Sequence, residues 1–151
     1  MLGTAEPGDL RRARMLRDGS DVVVLASGPI VGACLQAAEA LEAKGISIGV
    51  ASVPCLKPLD EPFVRNVARH ARLIVTVEEH VLRGGLHWSV AALMAGDAKG
   101  PPILGLGVPE PANKISRAGS REALLAADGL SPDMIRARVE ERLRTLTRVP
   151  P

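Results

Sequence analysis

The chain has 151 residues and a formal net charge of +2, with 46% hydrophobic residues and only 1% aromatic ones. This length fits one domain with a sizeable core, and that core must be aliphatic because Phe63 and Trp88 are the only Phe, Trp or Tyr residues. So few rings argue against a single-stranded nucleic-acid platform, and no segment approaches the ~20 apolar residues of a membrane span.

The N-terminal stretch predicts a linker before the folded domain. We expect poor order over residues 1–9, and either a short helix or an extended linker over residues 10–18. The stretch is acidic before it turns basic, which is not the pattern of a signal peptide. The prediction is therefore a linker at residues 1–18 and a domain at residues 19–148.

Apolar runs alternate with helical patterns along the rest of the chain. The run at residues 21–26 is rich in β-branched side chains and is typical of a strand buried on both faces. Similar runs follow at 46–53, 73–77 and, more weakly, 102–108. Helical spacing of apolar residues begins near Val31, Asp60, Gly85 and Ser131. This order predicts βαβ units, and so a mostly parallel sheet with helices on both faces.

A glycine-bearing turn at residues 27–32 joins the first strand to its helix. Such a turn can hold a phosphate at a helix N-terminus. Gly28 and Gly32 do not match the spacing of the dinucleotide fingerprint, and Pro29 lacks a backbone donor. We interpret this segment as a tight turn in preference to a nucleotide site.

Glu78, Glu79 and His80 end the third of these strands, and His87 follows soon after. A Glu beside a His can do acid–base work. However, adjacent residues on a strand point to opposite faces, and nothing supplies a nucleophile with an orienting partner. A structured loop at an interface is the favoured interpretation.

The two cysteines indicate the cellular compartment that is expected for the protein. Cys34 and Cys55 have no CxxC spacing and no His partner at metal-ligand spacing. Each is expected to be a small buried hydrophobe, as in a protein of the reducing cytoplasm.

The motifs, taken in order, resemble the C-terminal domain of the transketolase family of thiamine-diphosphate enzymes, across roughly residues 10–146. The resembling stretches are LRDGSDV at 16–22, ASG at 26–28, AAEAL at 37–41, KPLD at 57–60, VEEH at 77–80, GGL at 84–86, GSREALL at 119–125 and GL at 129–130. One departure is His87-Trp88, where the family usually has small residues.

The resemblance implies a three-layer αβα sandwich with a mixed, mostly parallel sheet. It also implies that thiamine diphosphate and Mg²⁺ belong to the assembled enzyme, between a diphosphate-binding and a pyrimidine-binding domain that are not part of this chain. We therefore assign no catalytic, cofactor-binding or metal-binding residue here. The expected partners are one or more separate subunits that carry those domains. A homodimer of this chain is a further possibility. Neither nucleic acid nor a membrane is expected as a partner.

The surface that meets the missing domains is predicted at the loop from Glu79 to Trp88. That loop leaves the carboxyl end of a central strand, where open α/β sheets present their functional edge. Trp and Arg are favoured interface anchors. The alternative is that Trp88 only covers the core at the start of its helix. The predicted interface residues are Glu79, His80, Arg83, Gly84, Gly85, His87 and Trp88.

Two functions from different classes fit this reading. The first is the C-terminal subunit of a split, cytoplasmic transketolase-like enzyme of ketol transfer. The second is a free-standing nucleotide- or metabolite-binding regulatory module of the same fold. A third interpretation is that the sequence is a piece of a longer protein.

Overall fold

A computed structural model describes residue 9 and residues 11–97, 99–110 and 118–148. Five strands and five helices follow one another in these ranges. In chain order they are β1 (Arg14–Arg17), β2 (Val22–Ser27), α1 (Val31–Glu42), β3 (Ile48–Ser52), α2 (Glu61–Ala68), β4 (Leu73–Val81), α3 (Leu86–Met94), β5 (Ile103–Val108), α4 (Arg121–Ala127) and α5 (Pro132–Arg148).

The strands form one mixed sheet in the order β1-β3-β2-β4-β5. Strands β2 to β5 are mutually parallel, and β1 alone runs antiparallel against β3. Strand β2 lies at the centre, with Val24 opposite Val50 on one side and Val75 on the other. The three-layer αβα fold with a mostly parallel sheet is therefore confirmed.

Two apolar clusters cover the two faces of the sheet, because side chains alternate along each strand. On one face Val24 and Val75 pack with residues of α1 and α5, such as Leu41 and Val139. On the other face Leu25 and Ile74 pack with residues of α2 and α3, such as Val64 and Val90. The core is aliphatic, as predicted, and Cys34 lies fully buried in it, where burial raises the pKa of its thiol to about 12.

The stretch at residues 10–18 corrects one prediction. Sequence analysis expected a helix or an extended linker there, as part of a linker at residues 1–18, but Arg14–Arg17 forms the antiparallel edge strand. Its charged, half-exposed side chains hide the alternation of a buried strand, and its register shifts between Met15 and Arg17. Short, charged and irregular strands are typical of sheet edges. Residues 1–8 and 10 lie outside the described ranges.

Local capping explains where α2 and α5 begin. The Asp60 carboxylate accepts a hydrogen bond from the Phe63 N–H at 3.2 Å and so caps α2, which begins where the helical spacing of the sequence predicted. Ser131 accepts more weakly from the Met134 N–H, at 3.4 Å. Helix α4 was not predicted, although Ser120 caps it in the same way. None of the helices in the described ranges is long and apolar enough to cross a membrane.

Candidate functional site

The candidate site lies at the carboxyl end of β4, the strand beside the centre of the sheet. The apolar run predicted a strand that ends at Val77, but pairing with β5 resumes at Val81 after an irregularity. The polar residues Glu78, Glu79 and His80 therefore belong to the strand itself. Residues 79–88 run from the end of β4 through the connection at 82–85 into the first turn of α3, and we call this segment the carboxyl-edge loop.

The buried side chain of Glu78 holds the start of α3. Its two carboxylate oxygens accept the N–H groups of Leu86 and His87, at 2.7 and 2.9 Å. These are among the first N–H groups of the helix, which have no partner within the helix itself. The N-cap residue Gly85 has no side chain to satisfy them. The strand thus supplies, across a loop, the acceptor that a local Ser or Asp supplies elsewhere.

Two glycines in the carboxyl-edge loop make this contact feasible. Gly84 has a φ of +75°, in the left-handed region that favours glycine. A side chain at Gly85 would overlap the Glu78 carboxylate. Gly-Gly therefore turns the chain and lets the backbone approach a buried carboxylate.

The imidazole of His87 lies over the sheet. Its Nδ1 is 3.1 Å from Oγ1 of Thr76, a fully buried residue of β4. Gly105 is the β5 partner of Thr76, and a Cβ there would come within 2.6 Å of the same Nδ1. The glycine in β5 thus leaves the space that the ring fills. His87 is half-buried, and its ring packs against the sheet instead of extending freely into solvent.

Glu79 points to the opposite face of the sheet from Glu78. Arg121, at the start of α4, donates from Nε to Glu79 Oε2 at 2.9 Å and from Nη2 to Oε1. This hydrogen bond raises the pKa of Arg121. The pair joins the start of α4 to the end of β4, and Leu125 of the same helix packs, partly buried, against the core.

The remaining predicted residues lie at the surface. Arg83 pairs with Glu110 at 3.0 Å, and both side chains are largely exposed. His80 is exposed, and its Nδ1 lies 2.8 Å from the carbonyl oxygen of Val81. Trp88 is 59% exposed, so less than half of its surface is covered by the rest of the chain.

The structure therefore divides the seven predicted interface residues into two groups. Glu79, Gly85 and His87 have internal roles, whereas His80, Arg83, Gly84 and Trp88 face outward. Acid–base chemistry by an adjacent Glu and His gains no support from the structure. The Glu78 carboxylate accepts hydrogen bonds from two backbone N–H groups, and the Glu79 carboxylate accepts them from Arg121. Sequence analysis gave Glu78 no structural role. The available signal was an acidic residue on an apolar strand, followed by Gly-Gly.

The turn after β2 favours the tight-turn interpretation. Gly28 has a φ of +82°, and its carbonyl oxygen accepts the Val31 N–H at 3.3 Å. The Gly32 N–H donates to the Pro29 carbonyl oxygen, also at 3.3 Å. Because these first N–H groups of α1 bond within the turn, they are not left to hold a phosphate.

The residues that the structure describes do not fit thiamine diphosphate or Mg²⁺. Within the described ranges, no three His, Cys, Asp or Glu side chains are grouped so that they could hold a metal ion. The helix N-termini at Val31 and Leu86 have donors already engaged by the turn and by Glu78. No step of a thiamine-dependent reaction can be derived from this chain alone.

Comparisons with known proteins give a consistent result. The model of the transketolase C-terminal domain matches residues 11–135. A putative uncharacterized transketolase family protein of Sinorhizobium fredii is 37% identical over 89% of this chain and 39% of its own length. The 1-deoxy-D-xylulose-5-phosphate synthase of Chlorobium luteolum is 36% identical over 93% of this chain and 21% of its own length. The chain therefore spans much less than half of these curated relatives.

Solved structures of transketolases are also similar to this chain. A structure described as a split gene transketolase in an inactive beta4 tetramer superposes with a TM-score of 0.76 and 31% identity, over 89% of this chain and 42% of the other. The transketolase of Campylobacter jejuni superposes with a TM-score of 0.62 at 18% identity, over 89% of this chain and 19% of the other, which shows the shared fold.

Proposed function

Because this chain belongs to the transketolase C-terminal domain family, we propose that it is the C-terminal subunit of a split transketolase-like enzyme of two-carbon ketol transfer. The observation that carries the proposal is the similarity, at a TM-score of 0.76 and 31% identity, to a protein described as a split gene transketolase. The family match fills most of this chain, while the chain covers only 39% and 21% of the curated relatives cited above. The similarity to a protein described as a split gene transketolase supports division between polypeptides.

In this proposal the other subunits carry the diphosphate-binding and pyrimidine-binding domains with thiamine diphosphate and Mg²⁺. When bound by those subunits, the cofactor would supply the carbanion stabilisation that ketol transfer needs. The role of this chain is to bind and orient those subunits. It does so with a rigid sheet edge, since Glu78 and His87 tie the carboxyl-edge loop to the sheet.

The partner-facing surface is proposed at the exposed part of the carboxyl-edge loop. His80, Arg83 and Gly84 form its outward side, with Trp88 at its end. Arg83 can exchange its exposed partner Glu110 for a carboxylate of another subunit with little loss, because an exposed ion pair contributes little.

Reconstitution tests the assembly. The chain is mixed with separate chains that carry the two cofactor domains, and ketol transfer is assayed with thiamine diphosphate and Mg²⁺. We expect activity only in the complete mixture. Saturable binding of the cofactor by this chain alone, or full activity of the other chains without it, would contradict the proposal.

A pair of charge reversals tests the surface. Arg83→Glu should weaken binding to the partner subunit, whereas Arg138→Glu on the exposed side of α5 should leave it unchanged. Both arginines are exposed and ion-paired, so the variants are matched in their effect on folding. Equal binding by the two variants would place the interface elsewhere.

A further inference from the structure

A cavity lies at the amino ends of β4 and β5, at the opposite end of the sheet from the carboxyl-edge loop. Its volume of about 400 Å³ is within the range of small-molecule sites. Arg65 of α2, Arg69 just after that helix and Lys99 from the connection between α3 and β5 line it. We call it the basic pocket. Its apolar wall includes Ala68, Ala71, Met94 and Pro101.

The cations of the basic pocket are poorly matched by carboxylates. Arg65 has Glu61 beside it, in a long ion pair of 3.9 Å. The side chains of Arg69 and Lys99 have neither a hydrogen bond nor an ion pair with any residue that the structure describes. Asp97 also lines the pocket, and its carboxylate accepts the backbone N–H of Lys99 at 3.1 Å. Because Arg65 and Arg69 also repel each other at a spacing of four residues, the pocket has an excess of positive charge.

The ends of the neighbouring helices account for only part of that excess. Carbonyl groups at a helix C-terminus attract cations, but the attraction falls off beyond the last turn. Arg69 directly follows α2, which ends at Ala68, so the helix end offsets part of its charge. Lys99 lies well beyond Met94, the last residue of α3. The Lys99 ammonium therefore has no counter-charge within the described part of the chain.

A second charged pocket, at the same end of the sheet but on its other face, is balanced. It has a volume of about 390 Å³ and is lined by the cations Lys44, Arg72 and Arg144. Glu140 accepts a hydrogen bond from Lys44 at 2.6 Å, and Asp21 pairs with Arg72 at 3.8 Å. Arg144 donates to the carbonyl oxygen of Glu140 at 3.3 Å. The two pockets thus match in size and in number of cations, but only the basic pocket lacks acceptors for its cations among the described residues.

We propose that the basic pocket binds the phosphate group of a small molecule, which supplies the acceptors that Arg69 and Lys99 lack. A guanidinium group can bond two phosphate oxygens at once, and an ammonium group adds a point charge. A phosphate monoester carries close to two negative charges at neutral pH, which suits two cations without partners. The apolar wall suits the carbon part of the same ligand. The inference goes beyond the proposed function, because the pocket is remote from the carboxyl-edge loop.

Isothermal titration calorimetry of the full chain with inorganic phosphate measures the binding. Sodium chloride keeps the ionic strength constant, so that general screening does not change during the titration. We expect saturation at one site. Glycerol 3-phosphate is titrated separately, and the tighter of the two ligands identifies the source of the phosphate group as a free ion or an organic ester. Failure of both ligands to saturate the chain overturns the inference.

Three variants locate the site. Arg69→Gln and Lys99→Gln should each raise the dissociation constant at least ~10-fold, since each removes a charge-assisted hydrogen bond. Both residues are exposed, so the variants should stay folded, and circular dichroism checks this. Arg138→Gln is the matched control, because it removes the same charge from an exposed position on α5 and should change the dissociation constant less than about twofold. Equal weakening in all three variants would mean general attraction of anions and overturns the inference.

The partner-binding assay separates this inference from the proposed function. Arg69→Gln should bind the partner subunit as the wild type does, because the basic pocket lies at the opposite end of the sheet from Arg83. If Arg69→Gln impairs partner binding and leaves phosphate binding unchanged, the cations serve a protein surface and the inference is wrong. If phosphate binds through Arg69 and Lys99 but no cofactor-domain subunit binds, the pocket stands and the proposed function fails.

Discussion

Helices α3 and α5 pack on opposite faces of the same sheet and differ in how they meet water. Each buries an apolar stripe, with Val90 in α3 and Val139 in α5. Outside that stripe α3 has no charged residue, whereas α5 carries Asp133, Arg136, Arg138, Glu140, Glu141, Arg142 and Arg144. The charges of α5 are typical of a solvated surface.

The two helices also begin differently. Helix α5 is capped by Ser131, three residues before the N–H that it accepts. Helix α3 depends on Glu78, a residue of another element that is 3% exposed. The N-terminus of α3 is thus capped by a tertiary contact, while the N-terminus of α5 is capped by the residue that directly precedes it.

The largest effect should come from removing the carboxylate that holds α3. Glu78→Ala leaves the N–H groups of Leu86 and His87 without their acceptor at a buried helix end. Since both bonds go to a charged acceptor, we expect a loss of about 3 kcal/mol in the free energy of unfolding. Urea denaturation followed by circular dichroism measures it.

Ser131→Ala is the matched control for that variant. Its hydroxyl accepts one long bond at an exposed position, so the expected loss is about 0.5 kcal/mol. Similar losses in the two variants would show that α3 and α5 are positioned in the same way.

Local contacts were predictable from the sequence, and tertiary ones were not. The caps at Asp60 and Ser131 stand directly before their helices, and the buried parallel strands are continuous β-branched runs. The role of Glu78 was missed because its partners lie across a loop whose path depends on Gly84 and Gly85.

The difference between local and tertiary contacts also explains how much of the candidate site was predictable. The sequence pattern located the carboxyl-edge loop, but only the structure separates inward residues from outward ones. His87 is held because Gly105, eighteen positions later in the chain, leaves room for its ring. Strand β1 was missed because an edge strand with Arg14 and Arg17 lacks the apolar run that marks the buried strands.

A smaller effect is expected from Gly85→Ala, which tests whether close approach to the Glu78 carboxylate fixes the start of α3. The backbone of Gly85 is extended and suits any residue, but an added methyl group overlaps the Glu78 carboxylate. We expect a loss of about 2 kcal/mol in wild type and much less when Glu78 is already Ala, because coupled neighbours are not additive. Thermal or urea unfolding of wild type, Glu78→Ala, Gly85→Ala and the double variant gives the coupling free energy between the two positions.

Gly96→Ala controls for the loss of glycine near the same helix. A Cβ at Gly96 meets nothing within 4 Å, so this variant should be close to neutral. A cost at Gly85 that persists in the Glu78→Ala chain would mean that the methyl group clashes with something other than the carboxylate.

The smallest effect is expected on the charged helix. Glu140 of α5 accepts hydrogen bonds from Lys44 at 2.6 Å and from Arg136 at 3.1 Å. The Lys44 contact, aided by Arg136, lowers the pKa of Glu140 below its ordinary value. Because the pKa is lower in the folded chain than in the unfolded one, the contacts stabilise the fold fully only above the unfolded value of ~4.3. The stabilisation declines as the pH falls below that value and is lost below the folded-state pKa.

Glu140→Gln should therefore cost less than about 1 kcal/mol at neutral pH, since the carboxylate is partly exposed and screened. Urea denaturation of both chains between neutral and acidic pH should show this small difference shrinking as Glu140 is protonated. High salt should shrink it as well, because salt screens exposed charges. A difference that persists in acid and in high salt would mean that the side chain acts by packing. In that case the outer face of α5 would resemble that of α3 more than its charges indicate.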